Sequence, residues 1–257
     1  LADKFFRLCI TLILGIKHFV YYKICNILDF AMNGFQLAQS RLNKGLEQQE
    51  AAEILGVSQS YLSLLESGKR KLNQKLAEKA VKVFRLSPEN LPMTENWGNL
   101  LESSNTDLAE SLAALGYPKF SHLKKEKLNN PAQVLFIALK NKDIESRIVE
   151  GLPWLIFNFP ELDWDKLIQS AKMFDLQNRL GFLVNLARQL AKKNHDTDKE
   201  KFFLSVEKTL ERSRLLQEDS LSKITETEKA YLKKSRPKEA KYWRVLSDLS
   251  VSHLDYV

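Results

Sequence analysis

The chain has 257 residues, 44% of them hydrophobic and 28% charged, which is enough to form one large or two smaller folded domains. Its net charge of +7 weakly favours a partner that carries phosphate. Both cysteines lie in the first 31 residues and the four histidines are scattered, which excludes a disulfide-linked scaffold and leaves no spacing typical of a metal site.

The first 31 residues contain an apolar run at 8–16, flanked by Arg7 and Lys17. This run is well short of the roughly 20 residues that span a bilayer, and no cleavage site of the Ala-x-Ala kind follows it. Met32 directly precedes the first predicted helix. We therefore favour a protein that starts at Met32, with residues 1–31 as translated upstream sequence, over a membrane-associated segment or a genuine N-terminal helix.

Short helices separated by glycine are predicted from residue 34 onward, because apolar residues recur there every three or four positions. They are predicted at 34–43, 48–55, 58–67 and 74–84, with a short fifth helix that begins at Ser87-Pro88-Glu89. Leu42 is placed on one face of the first helix with Leu37, and Ile54 of the second recurs at helical spacing with Ala51 and Leu55. Ser58 is a strong N-cap for the third helix, directly after a turn at Gly56 that Val57 fills. Two short helices joined in this way are typical of a helix-turn-helix.

With these residues the segment resembles the Cro/C1 (XRE-type) helix-turn-helix family. The matching stretches are 41–46, 48–56, 57–70 and 86–91. The resemblance implies a five-helix DNA-binding domain at 32–92. The polar composition of 93–106 indicates a linker, and a helical C-terminal domain is predicted at 107–257. The alternative is a helical domain that kept this fold but no longer binds DNA. The polar residues on the predicted surface argue against it.

The resemblance also implies a role for individual positions. The third helix enters the major groove, where Gln59 and Ser60 face base edges and Ser63 follows one turn later. Leu64 stands where many relatives have a polar residue, so it either contacts a thymine methyl group or leaves fewer base contacts. The predicted DNA-binding residues are Gln48, Ser58, Gln59, Ser60, Tyr61, Ser63, Leu64, Lys69, Arg70 and Lys71. Gln48 and the three basic residues are expected at phosphates. Arg41 and Glu66 occupy the positions of a structural ion pair.

The rest of the chain is also predicted to be helical, so the expected fold class is all-α, a helix-turn-helix domain followed by a helical array. Pro153 is expected to kink or split one of these helices. The clearest helix, 175–193, has one apolar stripe with Gly181 beside it. The predicted helices are 107–115, 131–141, 143–159, 163–173, 175–193, 198–216, 225–234 and 237–253.

Three features of this region have two interpretations each. Glu161, Asp163 and Asp165 around Trp164 are either metal ligands or helix-capping groups, and capping is favoured. Asn178 and Arg179 either line a pocket or lie at ordinary surface positions, and the surface is favoured. The basic residues interleaved with two aromatic residues are either a second nucleic-acid surface or a solvated helix start that covers its own aromatic core, and the latter is favoured. They are Lys233, Lys234, Arg236, Lys238, Lys241, Tyr242, Trp243 and Arg244.

No catalytic motif is present, so we predict neither an enzyme nor a cofactor. Segments at 152–164 and 175–182 weakly resemble helical regions of unassigned role in bacterial regulators. The first hypothesis is a cytoplasmic bacterial transcriptional regulator that binds double-stranded DNA as a homodimer, its C-terminal helices serving for dimerisation, an effector or a partner protein. The second is an antitoxin-like protein that neutralises a partner and regulates its own operon. An enzyme steered to DNA is the least favoured.

Overall fold

The computed structural model describes residues 34–93, 104–124 and 128–254. The interpretation of residues 1–31 therefore lies outside the described residues, as does most of the predicted linker. Helices dominate the described part, and the only strands there are two of two residues each, which confirms the predicted all-α fold class. The chain divides into two compact units between Phe84 and Arg85. No helix in the described ranges is both long and apolar enough to span a membrane.

The described part of the first unit, residues 34–84, contains four helices, and two of them bury a face that differs from the prediction. The helices are α1 (Gly34–Asn43), α2 (Gln48–Leu55), α3 (Gln59–Glu66) and α4 (Gln74–Phe84). Leu42 and Ile54 are 57% and 43% exposed, so they do not share the buried apolar faces of their helices as the spacing predicted. Each residue turns about 100° around a helix. Ile54 is therefore rotated away from the face that contains the buried Leu55, and Leu42 lies nearly opposite the buried Leu37.

The second unit is built around one long helix, α9. This helix contacts α7, α8, α10 and α12 and both strands. The two-residue strands β1 and β2 pair in parallel, Asp219 with Val245 and Ser220 with Leu246. Short 3-10 helices lie at Pro88–Asn90, Pro118–Phe120 and Val251–His253. The elements are α5 (Asn105–Leu115), α6 (Pro131–Lys140), α7 (Ser146–Asn158), α8 (Trp164–Met173), α9 (Gln177–Lys193), α10 (Thr197–Glu211), β1 (Asp219–Ser220), α11 (Glu226–Ser235), α12 (Lys238–Tyr242) and β2 (Val245–Leu246).

Polar side chains at the start of α9 are buried, so the surface interpretation of Asn178 and Arg179 was wrong. Asn178 is 1% exposed and Arg179 is 5% exposed. Arg179 binds both carboxylate oxygens of Asp219, at 2.6 and 2.8 Å, and donates to the Leu139 carbonyl at 2.8 Å. A buried guanidinium is stable only when its donors are satisfied in this way. These side chains therefore hold neighbouring segments against α9.

The segment after α10 is non-helical because α9 binds its backbone. The helix predicted to reach residue 216 ends at Glu211. Gln177 donates to the Ser213 carbonyl at 3.1 Å, and Asn178 both donates to the Leu215 carbonyl at 3.1 Å and accepts from its N–H at 2.9 Å. These bonds satisfy backbone groups that a continued helix would have paired internally.

The helix predicted at 237–253 was wrong beyond Tyr242. α12 ends there, and Arg244 has a φ of 54°, a left-handed conformation that a right-handed helix cannot continue. Trp243 is fully buried, and a Cβ atom added at Gly181 of α9 would overlap its indole ring. The ring therefore requires a glycine on α9. The predicted aromatic core at this point is confirmed for Trp243, whereas Tyr242 is 45% exposed.

Pro153 lies inside α7, which runs as one helix from Ser146 to Asn158, so the predicted splitting does not occur. A proline removes one N–H bond to the preceding turn. The surrounding residues of α7 are buried in the core of the second unit, including Leu152, Trp154 and Leu155. Their packing offsets the cost of that missing bond.

Residues 85–92 belong to the second compact unit, although the sequence placed them in the helix-turn-helix domain. Asn130 donates to the carbonyls of Glu89 and Leu91 at 2.9 and 2.7 Å. The Glu89 carboxylate accepts from the Glu161 N–H at 2.7 Å. Burial raises the pKa of this carboxyl above its ordinary value. The segment is thus fastened to residues that lie far away in the sequence.

Candidate nucleic-acid interface

The start of α3 is fixed by local interactions that the sequence encodes directly. Gly56 has a φ of 72°, a left-handed conformation that ends α2. Ser58 is extended, with φ −74° and ψ 151°, and its hydroxyl accepts from the Tyr61 N–H at 3.2 Å. This is a side-chain N-cap. The turn between α2 and α3 is therefore defined within three residues.

One face of α3 is buried and the other is exposed to solvent. Leu62 and Leu65 are fully buried in the core of the first unit. Tyr61 is half-buried beside them. The opposite face consists of four exposed residues at helical spacing, which we call the recognition face: Gln59, Ser60, Ser63 and Leu64. This face combines an amide, two hydroxyls and one apolar side chain, which are groups that bind base edges and the thymine methyl.

The chain after α3 continues in an ordered turn that carries three basic residues. Gly68 has a φ of 70°, and the Arg70 N–H donates to the Leu64 carbonyl at 3.1 Å. Lys69, Arg70 and Lys71 are all exposed. The cations therefore follow the carboxyl end of the recognition face on a backbone that is hydrogen-bonded to it.

An ion-pair network joins α1, α2 and α3. Arg41 donates to both carboxylate oxygens of Glu66, at 2.7 and 3.2 Å, and to the Leu46 carbonyl at 2.8 Å. The Gln48 side chain donates to Glu66 at 2.9 Å. The hydrogen bond to Glu66 raises the pKa of Arg41 above its ordinary value. The network fixes the end of α3 against α1 and the start of α2.

Gly34 is a structural requirement of the same unit that sequence reasoning missed. A Cβ atom at this position would overlap the backbone carbonyls of Leu65 and Glu66. The first residue of α1 therefore packs directly on the last turn of α3, which only glycine permits. A glycine at the start of a helix was the one available signal, and it does not identify the partner helix.

The structure brings most of the predicted DNA-binding residues to the surface of the first unit. The recognition face, Ser58 and the three basic residues are exposed there. Gln48 is half-buried and its side chain is engaged with Glu66. The position of Gln48 at the start of α2 is the one for which a phosphate contact was predicted.

Of the acidic residues Glu161, Asp163 and Asp165, Asp163 is the N-cap of α8 and Asp165 lies in its first turn. The Asp163 carboxylate accepts from the Lys166 N–H at 3.0 Å at the start of α8. Burial raises the pKa of Asp163. Within the described ranges, no three His, Cys, Asp or Glu residues form a group that could hold a metal ion.

Comparison with known proteins gives a family match that covers the first unit from residue 37 and the first residues of the second. Residues 37–91 match the protein-family model described as Helix-turn-helix. The match confirms the resemblance to Cro/C1-type domains over these residues and supports a DNA-binding regulator in general. No match to the chain is found among curated proteins or among solved structures.

Proposed function

We propose that the protein is a sequence-specific transcriptional regulator whose α3 lies in the major groove of double-stranded DNA. The observation that carries the proposal is the recognition face, four exposed base-compatible side chains on a capped helix whose other face is buried. Among residues 34–84 these side chains are exposed and have no packing role.

Each residue of the site has an assigned contact in this proposal. Gln59 binds an adenine through its amide, Ser60 and Ser63 donate or accept at neighbouring base edges, and Leu64 contacts a thymine methyl group. Gln48, Lys69, Arg70 and Lys71 contact phosphates and set the orientation of the domain. Ser58 and Tyr61 lie at the amino end of α3 and flank the groove.

The regulator acts as a homodimer in this proposal. α3 has only eight residues and presents a four-residue face, which is too small a surface for operator affinity by itself. Two copies bound to half-sites one helical turn apart supply the required area. The second unit then serves for dimerisation or for binding an effector or partner protein.

The test is fluorescence anisotropy of the full chain with its own upstream DNA and with a scrambled duplex, at two salt concentrations. We expect tighter binding to the upstream DNA and loss of that preference in Gln59→Ala, at a cost of roughly 1–3 kcal/mol. The matched control is Gln217→Ala, an exposed glutamine of the second unit. Equal losses on both duplexes for Gln59→Ala would contradict base reading.

A further inference from the structure

The positive charge of the protein is concentrated in one short stretch of the second unit. Residues 229–244, which we call the basic segment, contain seven Lys/Arg against one Glu, a net charge of +6. The chain as a whole carries +7, so all the other residues together contribute only +1. Surfaces that serve solubility alone intersperse both signs. A concentration of this kind creates a local positive potential that attracts polyanions.

Some of these cations have acidic partners. Lys233 and Arg236 both pair with Glu218, at 3.6 and 2.5 Å, and Arg236 also donates to the Val245 carbonyl at 3.2 Å. Lys229 pairs with Glu226 at 3.4 Å. Arg236 is only 10% exposed in its side chain, so its role is structural.

The other cations of the basic segment are available to a ligand. The side chains of Lys234, Lys241 and Arg244 make no hydrogen bond or ion pair with any residue that the structure describes. Lys238 is 91% exposed and reaches Glu239 only at 4.0 Å. The neighbouring Arg214 lies over the Tyr242 ring at 4.3 Å, and the Glu211 carboxylate, which accepts from the Tyr242 hydroxyl, offsets its charge.

The backbone that carries these cations is fixed. Trp243 and Ala240 are fully buried, and Trp243 packs against Gly181 of α9. Lys238, Lys241 and Tyr242 share one side of α12 because they are spaced by three and four residues. The exposed cations are therefore held at defined positions, and binding orders only their side chains.

We propose that the basic segment binds the phosphate backbone of double-stranded DNA, as a second contact surface in addition to that of the helix-turn-helix. Duplex DNA is the polyanion that the chain's other unit is proposed to bind, so this inference rests in part on the proposed function. Lysines spaced along a surface bind phosphates without reading sequence. The basic segment accordingly adds affinity on every sequence and leaves base preference to α3.

The test compares two triple variants of the full chain that have the same net charge. One is Lys234→Gln with Lys238→Gln and Lys241→Gln in the basic segment. The control is Lys172→Gln with Lys193→Gln and Lys201→Gln, three exposed lysines elsewhere in the second unit. Circular dichroism and thermal melting verify that both variants fold.

Binding to the upstream duplex and to the scrambled duplex is measured over a series of salt concentrations. Each lost phosphate contact lowers the slope of log affinity against log salt by about 0.9, so we expect a decrease of about 2–3 for the basic-segment variant and no change for the control. Equal slopes in the two variants would overturn the proposal. A change in binding to anionic phospholipid vesicles, with DNA slopes unchanged, would overturn it in favour of a membrane surface.

The same data separate this proposal from the proposed function. Wild-type protein that lacks sequence preference, yet has a salt slope that decreases in the basic-segment variant, would refute base reading by α3 and support the basic segment. A sequence preference that depends on Gln59, together with a salt slope that does not depend on Lys234, Lys238 and Lys241, would support base reading by α3 and refute DNA binding by the basic segment.

Discussion

Arg41 and Glu66 form a two-point ion pair, at 2.7 and 3.2 Å, between the first helix and the end of the recognition helix. Their side chains are only 11% and 8% exposed. In the unfolded chain both groups are solvated by water. In the folded state each group therefore depends on the other for its electrostatic stabilisation.

Removal of one member of this pair is expected to destabilise the first unit more than removal of both. Arg41→Ala leaves the Glu66 carboxylate shielded from water with only the Gln48 amide as partner, at a cost of about 3–5 kcal/mol. Amide hydrogen exchange of α1 and α3 measures this locally. The double variant Arg41→Ala/Glu66→Ala is expected to be more stable than Arg41→Ala. A single variant whose exchange equals that of wild type would contradict a stabilising role for the pair.

Arg70→Ala is expected to weaken DNA binding uniformly without a change in stability. Arg70 is exposed and follows the recognition face, where a phosphate contact is proposed. The salt slope should decrease by about 1, with equal losses on the upstream and scrambled duplexes. Anisotropy titrations at several salt concentrations measure both quantities. A loss confined to the upstream duplex would instead assign Arg70 to base contact.

Gly181→Ala is expected to destabilise the second unit because the new methyl group would overlap the Trp243 ring. Overpacking of this kind costs typically 1–3 kcal/mol. The matched control is Gly151→Ala in α7, where the added Cβ meets the side chains of Tyr117 and Leu112 at 3.1–3.2 Å. Both changes gain the same helix propensity, so urea unfolding followed by tryptophan fluorescence isolates the steric effect. Equal midpoints for the two variants would refute the required glycine at Gly181.

The buried Glu89 carboxyl is expected to make the second unit less stable as the pH rises. Burial raises its folded-state pKa above the value in the unfolded chain. The folded state therefore binds more protons between these two values, and stability decreases with pH across that window. At a pH below this window the Glu89 carboxyl is protonated in both states, so wild type and Glu89→Gln should unfold at similar urea concentrations.

At neutral pH, Glu89→Gln should be the more stable protein, because its neutral amide still accepts from the Glu161 N–H without a buried charge. Urea midpoints of both proteins from pH 4 to 7 test whether the stability of wild type relative to Glu89→Gln decreases as the pH rises. A stability difference in favour of Glu89→Gln that increases as the pH falls would contradict this prediction.

The sequence by itself determined the local structure of the first unit. Glycine at 56, the Ser58 cap and the apolar spacing of Leu62 and Leu65 act within a few residues, so the turn and the start of α3 could be predicted from them. The positions of Arg41 and Glu66 came from the resemblance to the family. The packing of Gly34 on α3 could not be predicted, because it depends on a helix that lies thirty residues further along the chain.

Only the tertiary structure decided the second unit. Asn178 and Arg179 have polar side chains that normally face water, but here distant backbone and carboxylate groups satisfy them inside the protein. Helical periodicity continued past Tyr242 in the sequence, whereas burial of Trp243 against Gly181 ended α12. Periodicity reports which residues share a helix face, while burial depends on the partner that covers the face. That partner is determined by contacts between residues far apart in sequence.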